Sequence, residues 1–170
     1  MRDPSGTDAP DGPRAPGRRP GDGWVECRCG RRHWGLHGAA GLLLFRTGAT
    51  GRATHVVLQH RAPWSDQGGT WGVPGGALDP TESAVEGAVR EAEEEAGLDG
   101  RALEVVGAHV LEHPDWSYTT VVARATGTQD PRPTDPESVD VRWVAVDDVA
   151  TLDLLPAFAD AWPDLRRTLP

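Results

Sequence analysis

Glu91, Glu93, Glu94 and Glu95 lie within five positions of one another, beside Arg90, in the stretch GALDPTESAVEGAVREAEEEAGL (residues 76–98). On a helix at about 100° per residue, Glu91, Glu94 and Glu95 share one sector, because positions i, i+3 and i+4 are neighbours. Three like charges on one helical edge repel, and near a helix C-terminus the macrodipole disfavours them as well. A divalent cation turns that cost into a gain, and carboxylate oxygens are the hard ligands that Mg²⁺ or Mn²⁺ selects. The competing reading is a solvated acidic helix. Arg90 is the one basic residue in the segment spaced to answer these acids, so simple charge balance does not account for the pattern.

The element that positions these side chains is predicted as a helix from about Thr81 to Ala96. Thr81 is the expected N-cap and Gly97 the residue that ends the helix. Val85, Ala88, Val89, Ala92 and Ala96 form the apolar sector expected to pack on a sheet, with Glu91, Glu94 and Glu95 on its margin. Glu86 and Glu93 point further away, and Arg90 is spaced to meet Glu86 and Glu94. The sheet is predicted from GAAGLLLFR (38–46), THVVLQHR (54–61), ALEVVGAHVLEH (102–113), YTTVVARAT (118–126) and VDVRWVAV (139–146). A short extended piece, WGVPGGALD (71–79), precedes the acidic helix. A short helix from DDVATL and a terminal one from PAFADAWPDLRRTL follow the last strand. Strands and helices mix without strict alternation, so the expected class is α/β, a mixed sheet with helices on its faces.

The acidic segment resembles the Nudix box, in which Gly, Glu, Arg-Glu, Glu-Glu and Gly recur at fixed spacing. Here the matching positions are Gly76, Glu82, Arg90, Glu91, Ala92, Glu94, Glu95, Gly97 and Leu98. The flanking WGVPGG and VRWVAVDDV are also similar to the family, and the resemblance spans about residues 38–165. It implies a Nudix-type α/β/α sandwich with a mixed central β-sheet. It also implies hydrolysis of a phosphoanhydride in a nucleoside diphosphate linked to another group. Nucleoside triphosphates, oxidised nucleotides, ADP-ribose, other sugar nucleotides and dinucleotide polyphosphates are all candidates. By the same resemblance, Glu91, Glu94 and Glu95, with the carbonyl of Gly75, are expected to hold Mg²⁺ or Mn²⁺. Gly76, Glu82 and Arg90 are expected to support them, Glu82 tying the loop to the helix and Arg90 orienting a carboxylate. The catalytic base falls to Glu91 or to a loop acid, for which Glu137 is the candidate. The alternatives are a Nudix-fold sensor that binds a nucleotide without turnover and an isomerase-like member. Retention of every acid of the box weighs against both. Many relatives dimerise, which makes a homodimer one expected assembly.

Substrate contacts are expected from the loops. Trp64, Trp116 and Tyr118 are candidates to stack a base, and Arg61 and Arg46 to meet phosphate, whereas Trp71 and Trp143 sit in strand-like runs and are assigned to the core. CRCGRRHWGLH offers Cys27, Cys29, His33 and His37 as ligands for Zn²⁺. Its C-x-C spacing is tighter than the usual C-x₂-C, and the other reading is an extension that packs on the sheet through Trp34.

The rest of the chain sets bounds. It has 170 residues, enough for one domain with a real core, and a formal charge of −9, which argues against a nucleic-acid polymer as partner. It contains no Lys, Ile or Asn, which a GC-rich coding sequence explains without any physical demand for Arg. No apolar run suits a membrane, two cysteines make no disulfide framework, and residues 1–23 contain no apolar signal core, so the expected compartment is the cytoplasm. Residues 1–23, rich in Pro, Gly, Asp and Arg, are expected to be unstructured. Residues 24–37 are expected to form the Cys/His extension, and residues 38–170 the hydrolase domain.

Overall fold

The computed structural model describes residues 18–170. A small hairpin, β1 (Trp24–Glu26) and β2 (Arg32–Trp34), precedes β3 (Ala39–Thr47) and β4 (Ala53–Arg61). Short strands β5 (Trp71–Gly72) and β6 (Gly75–Ala77) lead into helix α1 (Ala84–Ala96). Strands β7 (Leu103–His113), β8 (Trp116–Ala125) and β9 (Ser138–Ala145), a 3-10 turn at Val149–Thr151 and helix α2 (Pro156–Thr168) complete the fold.

The central sheet is mixed. β3 runs parallel to β8 and antiparallel to β4, while β7 pairs β8 and β9 pairs β4, both antiparallel. β3 and β4 pair only at one end, through Phe45–Thr47 and Ala53–Val56. At the other end they part, and β6 pairs Ala39–Gly41 while β5 pairs Gln59 and His60. The sheet therefore opens beside α1, and the Trp71–Ala77 segment fills the opening.

β3 is apolar almost throughout because both of its faces are covered. Ala40, Leu42 and Leu44 pack with Ala88, Ala92 and Ala96 of α1. Leu43 and Phe45 face Phe158, Trp162 and Leu165 of α2. The spacing of these last three, i, i+4 and i+7, is one helical stripe. The result is an α/β/α sandwich, as expected, with Trp71 in the core and Trp143 packed against its edge.

Several local expectations shift. The N-cap is Ser83, not Thr81, and Glu86 is the reciprocal partner of its capping box. That removes Glu86 from Arg90, which pairs instead with Glu82. The helix ends at Gly97, whose left-handed φ of 63° suits glycine. Val85 is exposed, and the buried stripe runs through Gly87, Ala88, Ala92 and Ala96. This rotates α1 so that Glu91 and Glu95 turn toward the sheet. Residues 18–23, expected within an unstructured segment, form a turn: the Arg19 N–H bonds Asp22, and Leu36 N–H bonds the carbonyl of Gly21. Residues 1–17 lie outside the described residues. No helix among the described residues is long and apolar enough to cross a membrane.

Candidate active site

Arg90 is the hub of the acidic edge. Its Nε and Nη2 donate to the two carboxylate oxygens of Glu82 at 2.7 and 2.8 Å. Nη1 donates to Glu91 at 2.5 Å and reaches Glu94 at 3.5 Å, and Nη2 also meets the Ala77 carbonyl at 3.1 Å. Glu82 accepts the Asp79 N–H at 3.1 Å. One bidentate pair thus ties the loop before α1 to the helix, and the same guanidinium fixes the orientation of Glu91. The Arg90 hydrogen bonds hold the Glu82 carboxyl below its usual range, and the two carboxylates raise Arg90 further.

Glu91 and Glu95 are largely withdrawn from water. Burial is the main cause that raises Glu91, against the pull of Arg90. Glu95 accepts the Gly75 N–H at 3.1 Å. Burial, then the charges of Glu91 and Asp135, push its carboxyl up to about 8. Two carboxylates crowded together with so little compensating charge suit a cation site. Glu94 is half exposed and takes the guanidinium of Arg19, which also reaches Asp79 at 3.3 Å. The three carboxylates line one edge: Arg90 holds Glu91 and reaches Glu94, Arg19 takes Glu94, and the Gly75 N–H holds Glu95. Gly76 is required by close approach: a Cβ there would lie 2.7 Å from the Glu91 carboxyl group.

The loop between β8 and β9 completes the edge by capping α1. Thr134 donates to the Glu94 carbonyl through its hydroxyl and to the Glu95 carbonyl through its N–H, and Arg132 N–H bonds the carbonyl of Ala96. These carbonyls are among those a helix leaves unpaired at its end. The docking delivers Asp135 to Glu95. Gln59, fully buried on β4, donates to Ser138 Oγ at 2.7 Å, and Ser138 Oγ donates to Asp135 at 3.0 Å. Glu137 lies in the same loop, its carbonyl bonded by the Ala62 N–H at 2.7 Å, but its carboxylate has no hydrogen-bond partner among the described residues. Asp135 is therefore the loop acid whose charge acts on Glu95.

The remaining candidates separate. Tyr118 lies beneath the edge, its hydroxyl packed against Gly41 and Gly75, with burial and Glu95 raising its pKa. Arg61 donates to the Asp66 carbonyl at 2.9 Å and its charge acts on both Glu95 and Tyr118. Trp64 is exposed on the loop after β4. Arg46 lies over the ring of Trp143, away from this edge. Trp116 is taken up by packing: its indole N–H donates to the Trp34 carbonyl at 3.1 Å and its ring stacks on His33. The anchoring of the extension is correspondingly through His33 and the Trp34 carbonyl, while the Trp34 ring stays exposed against Trp24. Cys27, Cys29 and His33 come together, and His37 does not join them. Arg19 and Asp135 are the residues sequence reasoning misses. Arg19 sits in a segment without apolar pattern, and Asp135 is hidden in a Pro-rich loop.

Comparison with known proteins agrees with this fold. The family model of the NUDIX domain matches residues 35–167. The chain is 51% identical over 148 residues to a nucleoside triphosphate pyrophosphatase/Nudix hydrolase fusion protein of Bifidobacterium longum. That match covers 85% of this chain and 31% of the relative, so the chain spans about a third of the fusion protein. It is 50% identical over 155 residues to the putative 8-oxo-dGTP diphosphatase 3 of Mycobacterium tuberculosis, covering 88% of this chain and 70% of that one. Among solved structures, the Nudix hydrolase RenU of M. smegmatis superposes with a TM-score of 0.78 at 48% identity, over 86% of this chain and 94% of that one. With the box residues, the sandwich and these matches in agreement, the chain belongs to the Nudix hydrolase family.

Proposed function

We propose that the chain is a divalent-metal-dependent pyrophosphohydrolase acting on a nucleoside triphosphate, with an oxidised purine nucleotide as the leading substrate. The observation that carries the reading is the α1 edge, where Glu91 and Glu95 are held in a desolvated carboxylate cluster that lacks enough cationic charge. The donor set fits Mg²⁺ or Mn²⁺: carboxylate oxygens of Glu91, Glu94 and Glu95, with the carbonyl of Gly75 nearby. The bound cation supplies charge neutralisation at the phosphate oxygens during in-line attack by water.

The protein's own residues do the positioning. Arg90 keeps Glu91 oriented, and Glu82 keeps Arg90 in place. Gly75 donates its N–H to Glu95, and Asp135 and Arg61 set the local field. Glu91 is the better placed of the two candidate bases, because it lies on the edge itself while Glu137 is held only through its backbone. Trp64, exposed on the loop after β4, and Tyr118, beneath the edge, are assigned to substrate contacts. The relatives named for 8-oxo-dGTP place that nucleotide first in the test. The test is a panel of nucleoside triphosphates, 8-oxo-dGTP, ADP-ribose and dinucleotide polyphosphates, with and without Mg²⁺. The expected result is release of pyrophosphate and the nucleoside monophosphate from 8-oxo-dGTP only with metal. Binding without turnover across the panel would reject the enzyme in favour of a sensor.

A further inference from the structure

The hairpin β1–β2 is too short to hold itself. Its strands have three residues each, and an isolated two-stranded hairpin is marginal in water. Both of its tryptophans, Trp24 and Trp34, are substantially exposed, so it has no core of its own. Its turn nonetheless has a defined shape. Gly30 N–H bonds the Cys27 carbonyl at 2.9 Å, Cys27 N–H bonds the Arg31 carbonyl at 3.0 Å, and Gly30 adopts a left-handed φ of 85°.

That turn brings three soft or borderline ligands together. The Sγ atoms of Cys27 and Cys29 and a ring nitrogen of His33 all lie within 4.8 Å of one another, and Cys29 Sγ is 3.2 Å from His33 Nε2. A tetrahedral zinc with Zn–S near ~2.3 Å and Zn–N near ~2.0 Å separates its ligand atoms by about 3.5–3.8 Å. Small side-chain rotations connect the two arrangements. Both cysteines are free. The His33 ring is already oriented, stacked on Trp116 with centroids 4.4 Å apart and beside His113 at 4.3 Å. Asp115 stands next to the group. Its carboxylate accepts the Arg28 backbone N–H at 2.8 Å and the Arg28 Nε at 2.9 Å, which ties the turn of the hairpin to the turn between β7 and β8.

We propose that Cys27, Cys29 and His33 form a structural Zn²⁺ site that closes the turn of the N-terminal hairpin, beside the turn between β7 and β8. Binding releases the two thiol protons to solvent and leaves both sulfurs as thiolate ligands, with no change of oxidation state. The site is separate from the α1 carboxylates and does not depend on the reaction assigned to them. Trp116 links the two regions, stacked on His33 on one side and 6.2 Å from the Tyr118 ring on the other.

The experiment is metal analysis of the full chain, expressed with zinc, purified under a non-thiol reductant and gel-filtered. Co²⁺ is then titrated into the chelator-stripped protein. The expected result is about one zinc per chain. Co²⁺ should give thiolate charge-transfer absorption with tetrahedral visible bands. Cys29→Ser, on the exposed turn, and His33→Gln, at a half-buried position on β2, should each lose the zinc and the charge-transfer band, whereas Glu95→Gln should keep both. Circular dichroism separates loss of metal from loss of fold in these variants. Zinc below about 0.2 per chain together with no thiolate–cobalt band would overturn the proposal. So would zinc retained in full by folded Cys29→Ser and His33→Gln.

Discussion

Glu95→Gln should stabilise the metal-free protein while weakening its response to metal. The Glu95 carboxyl is pushed up to about 8, from an ordinary value near 4.5, mainly by burial. A group whose folded pKa is raised contributes its full stability below the unfolded value and loses it as pH climbs toward the folded value. At pH 7 that loss reaches about 3 kcal/mol, at about 1.36 kcal/mol for each unit between 4.5 and 7. A glutamine oxygen can still accept the Gly75 N–H, but its buried amide donors lack partners, which gives back about 1–2 kcal/mol. The net gain is about 1–2 kcal/mol, or roughly 2–8 °C in melting temperature for a chain of this size. The assay is thermal unfolding in a chelator from pH 5 to pH 8, repeated with Mg²⁺. The advantage of Glu95→Gln should grow with pH through this window. The wild type should gain stability from Mg²⁺ and the variant should gain less. A variant that melts below the wild type at pH 7 to 8 in chelator would show that Glu95 is not destabilised by burial, as would an advantage that shrinks with rising pH.

Glu82→Gln removes the charge of the partner that Arg90 holds with two hydrogen bonds. Because Arg90 keeps Glu91, the cost falls below the ~3–5 kcal/mol typical of a fully broken buried pair, at about 2 kcal/mol, read as a lower denaturation midpoint. Since the folded Glu82 carboxyl is held low, the stability it contributes is present above about pH 4.5 and lost as pH falls. The acid limb of the wild-type stability curve should therefore flatten in this variant. Gly76→Ala puts a methyl group against the Glu91 carboxyl and should weaken Mg²⁺ binding more than it lowers stability, measured by titration calorimetry and thermal unfolding. Asp135→Asn removes one of the charges that raise Glu95, so metal-free stability at pH 7 should rise, with a fall in Mg²⁺ affinity by titration.

The carboxylate edge was legible because helical periodicity is local: i, i+3 and i+4 meet on any α-helix, whatever surrounds it. The strands of the central sheet and the stop at Gly97 were legible for the same reason. The rotation of α1 was not. Val85 and Gly87 cannot be ranked for burial without knowing that Leu78 covers Gly87. The partner of Arg90 was misplaced because a competing local bond, the Ser83–Glu86 capping box, claims Glu86 and leaves Glu82 to Arg90. Asp135 depends on a contact that sequence spacing does not encode. Thr134 and Arg132 cap the carbonyls at the end of α1, some 36–40 residues earlier in the chain, and only that docking sets Asp135 beside Glu95. Arg19 reaches Glu94 across a wider gulf, 75 residues along the chain.

If the α1 acids hold a divalent cation for phosphoanhydride cleavage, turnover depends on Glu94 and Glu95. The most direct measurement is kcat on 8-oxo-dGTP with saturating Mg²⁺, for the wild type, Glu94→Gln and Glu95→Gln, with folding checked by circular dichroism. The expected result is metal-dependent turnover in the wild type and a loss of ~10²-fold or more in each variant. Turnover unchanged in both folded variants would contradict it.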